Sequence, residues 1–139
     1  MSAFQLFGIA GALLTPLADR FAPTPARTAA GVGLIWAGAL GAFLLAPGLG
    51  LVWGALAGLA QGAGITAALL MIARRSTEVE SGTGLSALVQ GVGYVIGAAG
   101  PVLVGAAIAP LGWAGALGGL LVAALGMVAL APLASRPLR

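Results

Sequence analysis

Residues 51–73 read LVWGALAGLAQGAGITAALLMIA, and their reading decides the fold. The 23 residues carry no charge and, at the helical rise, would extend about 34 Å, enough to cross the hydrocarbon of a bilayer. Gly54, Gly58, Gly62 and Thr66 recur at intervals of four, which places them near one stripe of a helix where another backbone can approach closely. Pro47-Gly48-Leu49-Gly50 precedes the run and Arg74-Arg75 follows it.

The same pattern repeats outward in both directions. Gly and Pro divide the uncharged stretches at turn-forming places, which predicts five membrane-spanning helices over residues 3–17, 28–46, 51–73, 80–108 and 113–133, forming a single transmembrane domain over 1–139. The turn at Pro47–Gly50 joins the second and third, and Pro110-Leu111-Gly112 joins the fourth and fifth. Gly93, Gly97, Pro101 and Gly105 repeat the spacing of four in the fourth span. Such stripes serve ordinary helix packing or a specific sliding surface. Gly100-Pro101 lies well inside that span, where the missing N–H bends a helix, as a fixed kink or as a hinge.

Composition agrees. Six basic and three acidic residues give 9 charges in 139 residues, against roughly 35 for a soluble chain at about a quarter charged. Hydrophobic residues make up 60% and the mean hydropathy is +1.12. The expected class is an all-α integral membrane protein. Without His or Cys, zinc sites of those ligands, thiol catalysis, imidazole acid–base chemistry and disulfides are excluded. No cofactor is implied, and no nucleophile and base pair suggests an enzyme. The pI near 11.3 reflects a scarcity of acids, not a dense basic surface, so nucleic acid is not an expected partner. The first segment lacks a basic leader and a small-residue cleavage site, so it is expected to stay on the chain.

All six arginines fall on one side of this arrangement. Arg20 and Arg27 follow the first span, Arg74 and Arg75 the third, and Arg136 and Arg139 the fifth, whereas the turns after the second and fourth hold none. The positive-inside tendency then predicts a cytoplasmic C-terminus and an external N-terminus in the cell membrane.

Two stretches carry a family resemblance. Thr15-Pro16-Leu17-Ala18-Asp19-Arg20-Phe21, followed by Arg27, resembles the cytoplasmic loop signature Gly-x-Leu-Ala-Asp-Arg-x-Gly-Arg-Arg of the major facilitator superfamily, with Thr15 and Ala22 in place of the two glycines. Leu85-Ser86-Ala87-Leu88-Val89-Gln90-Gly91-Val92-Gly93-Tyr94, then Gly100-Pro101, Gly105 and Leu111-Gly112-Trp113, resembles the eleventh helix of that superfamily's cyanate permease and nitroimidazole exporter branch. The five spans then resemble helices eight to twelve of a twelve-helix transporter. The chain is expected to be its C-terminal part, needing the N-terminal half as partner.

The resemblance implies transport of a small solute, a small anion such as cyanate among the options, by rocking one half against the other. The third span would line the cavity, the first and fourth would meet the other half, and the second and fifth would face lipid. Gln61, Gln90 and Tyr94 are the expected substrate contacts; equally, they are helix-to-helix hydrogen bonds, since a buried amide in hydrocarbon must find a partner. Asp19, Arg20, Arg74, Arg75 and Glu78 resemble a cytoplasmic gate whose pairs form and break, or are plain topogenic charges. Glu80 fits a capping box with Thr77. No span interior holds a carboxylate, a basic side chain or an imidazole, so a coupling residue would lie elsewhere, or the carrier would be a uniporter or exchanger. From another class, the chain could be a small non-transporting subunit that docks a partner through its glycine faces.

Overall fold

The computed structural model describes residues 2–21, 24–75 and 79–135. These form four helices: α1 (Ser2–Phe21), α2 (Pro25–Leu45), α3 (Gly50–Arg75) and α4 (Val79–Leu130). Short 3-10 turns cover Pro47–Leu49 and Ala131–Ser135. Three stretches, Pro25–Leu45, Pro47–Arg74 and Gly82–Leu133, are long and apolar enough to cross a bilayer. α1 is not among them; Gln5, Asp19 and Arg20 all fall within its 20 residues. Among the described residues the regular structure is all helical, with the apolar lengths that an integral membrane protein requires.

The expected count of about five helices is corrected to four. The predicted spans 80–108 and 113–133 lie on one run, α4, of 52 residues. Pro101 and Pro110 sit inside it at helical φ,ψ, and the departure falls on Gly112 alone, at φ 66° and ψ 177°. That conformation is essentially open to glycine only. The predicted turn is thus concentrated in one residue. Uninterrupted, α4 would extend about 78 Å, well beyond the ~30 Å of hydrocarbon.

The other boundaries follow local chemistry. Pro25 opens α2 after an extended Thr24 (φ −105°, ψ 130°), where the missing N–H costs nothing. At the far end the Ala46 N–H closes on the Ala42 carbonyl at 2.8 Å, and Leu49 N–H reaches Ala46 O at 3.2 Å. The Trp53 indole N–H donates to that same Ala46 oxygen at 2.8 Å, fastening the α2–α3 turn from the first turn of α3.

The chain divides into two compact units, Met1–Ala67 with Leu117–Arg139, and Ala68–Ala116. The core of the first is made of small residues. Val32, Ala37, Ala39, Ala60, Ala63, Ala67 and Ala131 are buried, and among the described residues no large side chain is fully buried. Glycine replaces bulk at the helix contacts. A Cβ on Gly58 would fall on the Phe4 carbonyl oxygen, one on Gly62 on the Gly8 oxygen, and one on Gly11 on the Leu59 oxygen. Since Phe4 meets Gly58 and Gly8 meets Gly62, α1 and α3 run parallel. α2 opposes them: Val32 packs at Gly64 and Phe43 at Gly50. Residues 117–130 run back along α2, with Val128 and Ala124 against Gly33 and Leu117 near Ala39 and Leu40.

Large apolar side chains point outward, among them Leu13, Phe21, Leu34, Leu51, Val95 and Leu45, the last 90% exposed. In water each would forgo roughly 1.5–3 kcal/mol of burial. In lipid that loss vanishes, and close packing of backbones and internal hydrogen bonds hold the helices together.

In the second unit, residues 87–99 are exposed throughout. A Cβ added at Gly91, Gly93, Gly97, Gly100 or Gly105 would meet nothing within 4 Å.

Candidate functional site

The polar residues expected to touch substrate fall in two places. In the first unit, the α1–α3 contact presents Gln61 at its edge. The close approach at Gly8 and Gly62 brings the Gln61 Oε1 to 3.2 Å from where a Gly8 Cβ would stand. Gln5, Ile9, Ala12, Gln61 and Ile65 line a cleft of about 510 Å³ beside this crossing. Both amides are exposed, so two hydrogen-bonding groups are offered along an otherwise apolar wall.

In the second unit, Gln90 donates its amide to Ser86 Oγ at 2.7 Å, one turn back along α4. Thr83, Ser86 and Gln90, at spacings of three and four, line a groove of about 520 Å³ that Leu69, Ile72 and Ala73 of α3 complete. Tyr94, one turn beyond Gln90, is 73% exposed and is not among the groove residues. Sequence reasoning singled out Gln90 but passed over Thr83 and Ser86. Their signal was the helical spacing to Gln90, which also fits hydroxyls closing on their own backbone.

The charged residues differ in their surroundings. Asp19 is buried, at 7% exposure, and accepts a hydrogen bond from Thr28 Oγ1 at 3.2 Å. That bond joins the last turn of α1 to the first turn of α2. A carboxylate at a helix N-terminus is favoured by the aligned backbone dipoles. One turn earlier, the buried Thr15 donates to Gly11 O at 2.7 Å, beside Pro16, which has no N–H to give. Arg20 is exposed at the end of α1 and Arg74 at the end of α3. The side chains of Arg75 and Glu80, and Thr77 and Glu78 altogether, lie outside the described residues.

Of the expected packing glycines, Gly58 and Gly62 close on α1, whereas Gly54 of the same stripe faces open space. In α4, Gly93, Gly97 and Gly100 are open, and Pro101 is exposed. Sequence reasoning missed Gly8 and Gly11, the α1 side of the close contact.

The comparisons with known proteins bear on this arrangement. Over 109 residues the chain is 35% identical to the protein named Uncharacterized transporter YycB of Bacillus subtilis (strain 168), a match covering 76% of this chain and 27% of that protein. The chain thus spans about a quarter of the length of that relative. No family model matches the chain, and no solved structure matches it.

Proposed function

We propose that this chain forms the C-terminal helices of a membrane transporter of the major facilitator type, moving a small solute by alternating access. The observation that carries the reading is the similarity, across 76% of the chain, to a protein named as a transporter. The packing supports it. α1 and α3 are parallel and locked through Gly8, Gly11, Gly58 and Gly62, a rigid pair fit to move as one body. Residues 87–99 of α4 are exposed on all sides, as a helix meeting both lipid and a second half would be. Gln61, Gln90 and Tyr94 would contact the solute, while Asp19, Arg20, Arg74, Arg75 and Glu78 would form the gate at the cytoplasmic face. Pairs made by the exposed Arg20 and Arg74, at about 0–1 kcal/mol each, would suit a reversible latch, whereas the buried Asp19 would hold its place on Thr28. The C-terminus would be cytoplasmic and the membrane that of the cell.

A second reading rests on the open glycines 93, 97 and 105 of α4: a non-transporting subunit that docks a partner there. Counterflow in membrane vesicles carrying the native gene product separates the two. Labelled small solutes, cyanate first, should exchange faster than in vesicles lacking it, and Gln90→Ala should raise the half-saturating concentration without lowering the amount of protein. If no solute exchanges although the protein is inserted, the transport reading falls and docking is favoured.

A further inference from the structure

We infer that the cleft lined by α1, the start of α2 and the middle of α3 holds one acidic phospholipid, its phosphate on Arg27 and its acyl chain along Leu14. The cleft encloses about 270 Å³ and lies wholly within the first unit; Leu14, Ile35 and Leu59 form apolar walls and Thr15, Arg27 and Thr28 its polar rim. The two hydroxyls are already committed, Thr15 to Gly11 O and Thr28 to Asp19. The Arg27 guanidinium is therefore the group the rim offers to an anion.

Three observations favour an anionic lipid as occupant. Arg27 stands in the first turn of α2, where backbone dipoles favour negative charge; the Asp19 carboxylate sits at that turn on Thr28, and Arg27 is the cationic side chain that lines the cleft itself. Arg20 ends α1 at the same end of the helices, while Asp19, held by Thr28, is not among the cleft's lining residues. On α1 beside Leu14, Leu13 and Leu17 are exposed and apolar, a helix surface along which a chain in the bilayer would run. A basic pocket between helices with an apolar exit is the chemistry that recognises a phosphodiester on an acyl chain. A soluble phosphate would gain nothing from the walls.

The test uses the purified full chain in a neutral detergent, with native mass spectrometry and thermal unfolding as readouts. Phosphatidylglycerol should remain bound and raise the unfolding temperature, and phosphatidylcholine should do neither. Arg27→Gln should weaken phosphatidylglycerol retention about fivefold, the value of one arginine near an anionic surface, and Arg27→Lys should restore part of it. Gly31→Leu is the second variant. Gly31 lines the cleft and has nothing within 4 Å of its Cβ position, so a leucine there fills the space with Arg27 intact and should also displace the lipid. Retention unchanged in both variants overturns the proposal. So does equal protection by soluble glycerol phosphate, which would make the site one for a free phosphate ester, or equal binding of phosphatidylcholine.

Discussion

Gly62 of α3 lies directly against the carbonyl oxygen of Gly8 in α1, with no space between them for a Cβ. The relationship is repeated four residues earlier between Gly58 and the Phe4 oxygen. In lipid, where burying apolar surface gives helices no advantage over lipid tails, such backbone contact is a main source of cohesion. It lets two parallel helices pack side by side with little to slide between them.

Gly62→Val should therefore separate α1 from α3. Overpacking of this kind costs about 1–3 kcal/mol and occasionally more, so the midpoint of thermal unfolding in detergent should fall clearly. Gly97→Ala meets open space in this chain, and the same measurement should show no loss, with a gain of up to about 1 kcal/mol from helix propensity. Equal effects at the two positions would mean that the α1–α3 contact is not the cohesive one.

The Gly112 break invites a different measurement. At φ 66° and ψ 177° an alanine should cost roughly 1–3 kcal/mol. The expected outcome for Gly112→Ala is a lower unfolding midpoint, with helix content by circular dichroism held or raised as the two parts of α4 are pressed toward one straight rod.

Trp53 reports on the α2–α3 turn. Removing its indole N–H by Trp53→Phe leaves the Ala46 oxygen without this donor and should cost about 1 kcal/mol. The intrinsic fluorescence of a variant that keeps Trp53 but lacks Trp36 and Trp113 should shift to the red as the turn opens, before the helices melt.

Thr28→Val removes the hydroxyl that holds the buried Asp19. A hydrogen bond to a charged group is worth about 1.5–3 kcal/mol, so Thr28→Val should destabilise the protein, and Asp19→Asn, which keeps an acceptor at the same place, should do so less. If Asp19 also works as a gate, Asp19→Asn will change transport rate in vesicles out of proportion to its effect on stability.

Membrane orientation is checked by labelling. Thr24 and Gly48 flank opposite ends of α2. Cysteines introduced at these positions should react with an impermeant maleimide from opposite sides of the membrane, Thr24→Cys from the cytoplasm. Reaction of both from one compartment would remove α2 as a span and with it the orientation drawn from the arginines.

Much of this architecture was legible in the linear pattern. Uncharged runs separated by Pro-Gly turns and arginine clusters placed α2 and α3 within a few residues, because the need to satisfy every backbone group in lipid leaves helix as the available form. The glycine spacing pointed to Gly58 and Gly62 because a period of four puts them on one face of α3. The same spacing could not distinguish Gly58 and Gly62, which meet α1, from Gly54, Gly93 and Gly97, which meet nothing in this chain. Nor could it find Gly8 and Gly11, whose spacing of three in a short helix carries no signal alone.

Composition and charge order by themselves determined that this is a helical, lipid-compatible chain, since hydropathy and charge are properties of residues regardless of neighbours. Which helices touch, that Asp19 is held by Thr28 and Gln90 by Ser86, and that residues 80–130 share one helix broken at Gly112 were decided by tertiary structure. The reason is that close contact depends on the geometry of two surfaces meeting, and a single helix's sequence states only one of them.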